Sequence, residues 1–382
     1  MIMKIAVPAE TERGESRVGA TPETVKKLAA IADEVVVQAG AGAGARIADS
    51  EYEAAGAKIA STAAAAIKDA TIVLKVRRPS ETDLAAYSAG SVVVGLMDPH
   101  GHEAELKRMA EKGLLAFAME LLPRITRAQV MDVLSSQANL AGYRAVIDAA
   151  ETYDRALPMM MTAAGTVPAA RIFIMGAGVA GLQAIATARR LGAVVTATDV
   201  RPAAKEQVAS LGAKFIAVED DEFKAAETAA GYAKPMSAEY QAKQAALVAE
   251  HIKKQDIVIT TALIPGRPAP KLVTATMVAS MRAGSVIVDL AVERGGNVEG
   301  AVAGEVVSVG GVTILGHLNV PGRIAATSSA LYARNLFAFV ETLVDRAGKR
   351  LAINREDELV KATLLSIDGK VVHPAFAGKG AA

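Results

Sequence analysis

The sequence predicts an α/β protein built on two doubly wound, mostly parallel sheets, and three observations predict it. Short β-rich runs alternate with Ala-rich helical stretches along nearly the whole chain, which is the pattern of βαβ units. The runs fall into two series separated by one long amphipathic stretch. At 382 residues the chain also exceeds one α/β core, so a division into two domains is the natural prior.

The first series comprises 4–7, 34–38, 71–76, 91–96 and 114–118. Between 128 and 155, apolar residues at Val130, Leu134, Ala138, Ala141 and Ala145 are spaced by three and four, predicting a long helix that crosses from one domain to the other. The second series is 171–175, 194–198, 214–218, 256–261, 285–290 and 312–315. A helical stretch with Leu331, Phe339, Val340 and Leu343 follows, and after it come 351–354, 359–366 and 370–373. The simplest arrangement returns the C-terminus to the first domain. Residues 1–138 and 325–382 then form one domain, with 139–324 inserted in it, and the Gly/Ala tail from Gly378 reads as loose.

Composition narrows the partners. With Lys+Arg 42 against Asp+Glu 41, the chain has no field to attract phosphate backbones or anionic lipid, so nucleic acid is not an expected partner. There is no cysteine, which removes disulfides, thiolate nucleophiles and Cys-ligated metal sites. The N-terminus enters a strand-like run at once, without the layout of a signal peptide. The uncharged run 172–188 carries three glycines and sits at the short limit of the roughly 17–25 residues a membrane helix needs. It reads as a strand, a turn and a helix start, so no membrane span is expected.

The most informative local pattern is Gly176-Ala-Gly178-Val-Ala-Gly181, placed between the apolar run 172–175 and the helical stretch 182–191. In this context the first glycine allows a tight turn, the second lets backbone approach a pyrophosphate, and the third lets helix and strand pack closely. The helix start then offers unpaired N–H groups to the anion. Asp199 follows the next strand, 194–198, at the distance where an acid meets the adenosine ribose hydroxyls, and a carboxylate there repels a 2′-phosphate. The fold expectation is therefore two Rossmann-like domains with NAD(H) in the cleft between them. Arg201 pulls the other way, because an arginine at this edge also receives a 2′-phosphate. Gly40-Ala-Gly42-Ala-Gly44 also follows a strand but lacks the final spacing and the acid, and reads as a flexible turn.

Other chemistries lack their residues. His100, His102, His251, His317 and His373 make no i, i+4 pair among clustered carboxylates, so no metal site is expected. Neither a Gly-x-Ser-x-Gly elbow nor a Walker loop is present. Carbonyl reduction needs a proton donor beside the hydride donor. Moving hydride between two nicotinamide rings needs only positioning.

Over nearly its full length the chain resembles the NAD(H)-binding component of the proton-translocating transhydrogenases. The segments that carry the resemblance are Met119-Glu-Leu-Leu-Pro-Arg-Ile-Thr-Arg-Ala-Gln-Val-Met-Asp132, Ser135-Ser-Gln-Ala-Asn-Leu-Ala-Gly-Tyr-Arg144, Pro158-Met-Met-Met-Thr-Ala-Ala-Gly-Thr-Val-Pro168 and Thr260-Thr-Ala-Leu-Ile-Pro-Gly266. The resemblance implies that Arg124, Gln129 and Asp132 form that family's Arg-Gln-Asp loop beside the nicotinamide, with Ile125, Thr126, Arg127 and Ser135 around it. It places Gly176, Gly178, Val179, Gly181, Asp199, Val200, Arg201, Gly231, Thr261, Ala262 and Leu263 along the dinucleotide. Tyr232 matches the tyrosine of a loop that closes over the nucleotide. Also implied are a homodimer, a separate membrane-spanning subunit, an NADP(H)-binding partner subunit, and a cytoplasmic place at the membrane through those partners.

Plainer readings compete at several positions. Thr126-Arg-Ala-Gln129 is also a capping-box sequence, Asp132 reads as a solvated helix-face carboxylate, and Met159 to Met161 read as packing. Arg17-Val-Gly-Ala-Thr-Pro22 and Leu74-Lys-Val76 resemble alanine dehydrogenase as well, Arg17 and Lys75 matching its pyruvate-binding positions. Where that family carries a catalytic histidine after the 91–96 strand, the chain has Met97, and Glu293 replaces its aspartate. The alternatives to a transhydrogenase component are thus an amino-acid dehydrogenase and a non-catalytic NAD-binding protein. One departure from the transhydrogenases is Val-Glu-Gly300 after Gly295-Gly-Asn297, where Cys-Pro-Leu is the family's usual continuation.

Overall fold

The computed structural model describes residues 2–226, 236–264 and 266–378. The chain divides into two compact units, Met1–Gln137 with Pro321–Ala382, and Ala138–Val320. The first unit holds an eight-stranded sheet in the order Lys370–Val371, Leu364–Ile367, Leu115–Ala118, Val92–Leu96, Ile72–Arg77, Lys4–Val7, Glu34–Gln38, Lys58–Ala60. Strands from Leu115–Ala118 onward in that order are parallel, Leu364–Ile367 pairs antiparallel with Leu115–Ala118, and Lys370–Val371 pairs antiparallel with Leu364–Ile367. A parallel sheet is covered on both faces, so its strands are apolar throughout. Ile72, Leu74 and Val76 pack with Tyr332, Leu336 and Phe339 of the helix Ala325–Val340, while Val73 joins Leu106 and Met109 on the opposite face.

The second unit repeats the plan with seven strands: Lys214–Phe215, Val194–Thr198, Arg171–Met175, Ile257–Thr260, Val286–Asp289, Val312–Leu315 and Val306–Val309. All pairs are parallel except the last, where Val306–Val309 folds back on its neighbour. Ile172 and Ile174 face one core with Ala184, Ile185 and Ala188, and Phe173 and Met175 face the other with Val248 and Ile252. The chain starts at Arg171–Met175, builds outward to Lys214–Phe215, then returns to lay Ile257–Thr260 on the other side. That reversal opens a crevice at the carboxyl ends of Arg171–Met175 and Ile257–Thr260, the place where open α/β sheets hold ligands.

Three local expectations change. The strand foreseen at 214–218 stops at Phe215, because Val218 N–H turns to the Gln244 side chain (2.9 Å) rather than to a strand. Met159, Met160 and Met161 do not pack: they are 59%, 42% and 79% exposed, on and beside a hairpin of Met160–Thr162 and Gly165–Val167. The turn at Gly40 to Gly44 is tightly built, since a Cβ on Gly42 would lie 2.7 Å from the Tyr52 ring and one on Gly44 2.6 Å from Ser16 O. Among the described residues no helix is long and apolar enough to cross a membrane.

Candidate nucleotide site

In the second unit the glycine sequence becomes a cradle. Gly176 follows the strand Arg171–Met175 with φ +107°, and a Cβ on it would lie 2.5 Å from Thr261 Oγ1. A Cβ on Gly181 would lie 1.8 Å from Gly176 O, so helix Val179–Arg190 can rise against the turn only without one. Gly178 differs, since a Cβ on it meets nothing within 4 Å. It caps a twelve-residue helix and, as a glycine, brings no side-chain oxygen to the first N–H groups, which a helix leaves without intrahelical partners. The residues therefore fit a dinucleotide, with space in front of Gly178 where a pyrophosphate meets the helix dipole. Val179, Val200 and Leu263 are exposed apolar side chains (41%, 55% and 54%).

The acid is tied to the same turn. Asp199 Oδ2 accepts the Ala177 N–H at 2.7 Å, and Oδ1 accepts Arg201 N–H at 2.9 Å. Arg201 Nε and Nη2 pair with the two carboxylate oxygens at 2.9 and 3.0 Å, and Nη2 also reaches Ala177 O at 3.2 Å. The arginine left open by the sequence as a 2′-phosphate receiver is thus bound in a fork to the Asp199 carboxylate. Across the crevice edge, Thr261 Oγ1 donates to Gly176 O at 3.1 Å, joining the first segment after Ile257–Thr260 to the glycine turn. Gly231 and Tyr232 lie outside the described residues.

In the first unit, Thr126–Met131 is a 3-10 helix whose cap, Ile125, makes no side-chain hydrogen bond, so the capping box at Thr126 does not form. The long helix foreseen from 128 begins instead at Val133, as Val133–Thr152. Asp132 caps it: Oδ1 accepts Ser135 N–H at 2.9 Å and Oδ2 accepts Ser135 Oγ–H at 2.5 Å. Asp132 has β-region backbone immediately before the helix, and a carboxylate there accepts the backbone N–H three residues on. Arg127 forms a bidentate pair with Asp357 at 2.8 and 2.6 Å. Arg124 and Gln129 are exposed. Asn335, which nothing local marks, pins the segment by donating to Val130 O (2.8 Å) and accepting from Ser136 Oγ (2.7 Å).

The positions shared with alanine dehydrogenase also lie in this unit, and they are internally satisfied. Arg17 is 3% exposed and bonds Glu15 through Nε (2.8 Å) and Nη2 (2.7 Å), and Gln137 through Nη1 (2.8 Å). Burial raises the Glu15 carboxyl, but its hydrogen bonds to Arg17 and the Arg17 charge outweigh that and hold it down at about 2. Lys75, 1% exposed, lies 3.4 Å from Glu10 and 3.5 Å from Asp83. Met97 is fully buried in apolar surroundings.

Two residues beyond the sequence reading shape the second unit. Gly142 lets the long helix lie directly on the start of Val179–Arg190, since a Cβ there would be 2.0 Å from Ala180 O. Asn297, fully buried, bonds the backbone of Ala262. The family models described as alanine dehydrogenase/PNT match this chain, the N-terminal domain over residues 6–141 and the C-terminal domain over 145–374. The chain is 54% identical over 384 residues to an NAD(P) transhydrogenase subunit alpha polypeptide of Rhodospirillum rubrum, covering 99% of this chain and 100% of that one. The crystal structure of a transhydrogenase from Sinorhizobium meliloti is 66% identical with TM-score 0.89, covering 97% of this chain and 100% of that one. An L-alanine dehydrogenase structure is 26% identical with TM-score 0.83, covering 98% of each chain.

Proposed function

This chain belongs to the alanine dehydrogenase/PNT family, and from that premise we propose that it is the NAD(H)-binding component of a proton-translocating transhydrogenase. As such it is an oxidoreductase component whose substrate NADH supplies a hydride to NADP⁺ held on a partner subunit, while protons cross the membrane through a separate membrane-spanning subunit. The observation that carries the reading is the open backbone of Gly178 at an uncapped helix start, beside the Asp199 carboxylate. The helix N–H groups neutralise the pyrophosphate, and Asp199 selects ribose hydroxyls over a 2′-phosphate. Val179, Gly181, Val200, Arg201, Thr261, Ala262 and Leu263 complete that contact set in our assignment, with Gly231 and Tyr232 added from the resemblance. Arg124, Gln129 and Asp132, with Ile125, Thr126, Arg127 and Ser135, are assigned to placing the nicotinamide ring.

Amino-acid dehydrogenation is the weaker reading on this structure. A 2-oxo acid would have to displace Glu15 and Gln137 from Arg17 and Glu10 from Lys75, and buried Met97 has no proton to give an imine. The exposed methionines at 159 to 161 support association with a second copy, since exposed apolar clusters mark interaction surfaces. Partner subunits would hold the dimer at the cytoplasmic side of the membrane. The test mixes the purified chain with an NADP(H)-binding transhydrogenase subunit and follows NADH-dependent reduction of NADP⁺, alongside NADH with pyruvate and ammonia. Transfer in the first mixture only is the expected result. NADH oxidation by pyruvate and ammonia without a partner would overturn the assignment.

A further inference from the structure

Asp289 ends the strand Val286–Asp289, and its carboxylate organises the turn that follows. Oδ1 accepts Ala291 N–H (2.9 Å) and Thr260 Oγ1–H (3.3 Å), and Oδ2 accepts Val298 N–H (3.0 Å). The chain then passes through the 3-10 helix Val292–Arg294 and reverses at Gly295 and Gly296, at φ +92° and +77°. A Cβ on Gly296 would lie 2.7 Å from Asp289 Oδ2, so only glycine admits both the reversal and the carboxylate. The reversal turns Asn297 inward, where it is 0% exposed.

There the Asn297 carboxamide is fully matched. Oδ1 accepts Ala262 N–H at 3.0 Å, and Nδ2 donates to Ala262 O at 2.9 Å and to Pro270 O at 2.8 Å. One side chain thus satisfies both backbone groups of Ala262, as a neighbouring strand would, just past the end of Ile257–Thr260. The preceding residue, Thr261, bonds Gly176 O. In the doubly wound order, the adenosine half lies over the Asp199 side of Arg171–Met175, and the nicotinamide half over Ile257–Thr260 and its successor.

We infer that Asn297 is a positioning residue for the nucleotide: by clamping Ala262 it fixes the backbone from Thr261 to Leu263 on which the nicotinamide half rests. The inference builds on the NAD(H)-binding reading above. It assigns Asn297 no contact with substrate. Removing its side chain frees the Ala262 segment without touching the Asp199 edge, so the two halves of the dinucleotide should respond differently.

The experiment titrates the full chain and its Asn297→Ala variant with NADH and with AMP, which carries only the adenosine half, and records melting curves. NADH should bind about ten-fold more weakly to the variant, or about 1.4 kcal/mol, with AMP affinity unchanged and melting still cooperative. Unchanged NADH affinity overturns the inference, as does an equal loss for NADH and AMP, which is the signature of a general loosening. Failure of the unaltered chain to bind NADH would instead sink the functional reading itself. Asn297→Asp covers the case in which the alanine variant does not fold. It keeps the shape and the acceptor for Ala262 N–H, and it donates only when protonated. Its NADH affinity relative to the unaltered chain should fall as pH rises from about 6 to about 9, through the range where a buried carboxyl ionises. A constant ratio overturns the inference.

Discussion

Substituting alanine for Gly142 sets two opposing effects against each other. The residue sits in the interior of Val133–Thr152, where alanine is favoured over glycine by about 0.8–1.0 kcal/mol. Against this, the new Cβ would lie 2.0 Å from Ala180 O and 3.0 Å from Ala180 Cα. Both are backbone atoms of a helix start, so neither swings aside as a side chain would. Reaching ordinary contact near 3.4 Å requires a separation of roughly 1.4 Å, and a gap of about 0.5–1 Å already forfeits a quarter to a half of each dispersion contact. The contacts at stake include Ala145, Val146 and Ala149 in the same core as Ala184, Ile185 and Ala188. Overpacking costs about 1–3 kcal/mol, and a clash with rigid backbone belongs at the upper end. The net effect is a loss of about 2 kcal/mol, lowering the melting transition of the second unit by about 4–8 °C. Calorimetric melting of the purified Gly142→Ala chain measures this, with NADH titration as a companion because Ala180 lies in the first turn of the anion-facing helix. A melting temperature equal to or above that of the unaltered chain would show that propensity wins and that the helices do not meet as closely as described.

Gly178→Ala reverses that pattern: with φ near −75° and nothing within 4 Å, it should leave melting within about 0.5 kcal/mol of the unaltered chain. NADH affinity should nonetheless fall at least ten-fold by calorimetry, and undiminished affinity would remove Gly178 from the pyrophosphate contact. Gln129→Asn should slow single-turnover transfer to the NADP(H) partner while leaving NADH affinity and melting nearly unchanged, because Gln129 is exposed and caps no helix. Unchanged transfer withdraws Gln129 from the site. Glu120 should make stability depend on pH. Burial raises its carboxyl to about 7, against hydrogen bonds from Asp98 and Met97 N–H, and its Oε2 is sealed without a partner among the described residues. An acid whose folded pKa lies above its unfolded value of 4.5 binds more protons when folded, so its share of stability declines as pH rises from about 4.5 to about 7. Glu120→Gln keeps the acceptor and removes the charge, so its melting temperature relative to the unaltered chain should rise between pH 5 and 8; a constant difference would refute the assignment.

What could be read from the residues alone was local. Alternating apolar runs identify a two-sheet α/β chain because a strand buried on both faces needs them within a few consecutive residues. The spacing of Gly176, Gly178 and Gly181 marks a turn between strand and helix for the same reason, since turn, approach and packing are all settled within six positions. Met97 in place of a histidine is likewise visible without coordinates. Competition between neighbours was not legible. Thr126 and Asp132 both had the chemistry to start a helix, and Asp132 does so while Asn335, some two hundred residues on, holds the preceding turn in a 3-10 helix. Gly142 looks like a defect in a helix until Ala180 is placed against it. Asn297 looks like a loop residue until the chain returns to lay Ala262 beside its carboxamide. The three methionines, apolar enough to predict packing, end on an exposed hairpin. Periodicity and turn spacing act through bonds a few residues long, whereas a buried amide's partner, or the atom a missing Cβ makes room for, exists only once distant segments share one crevice.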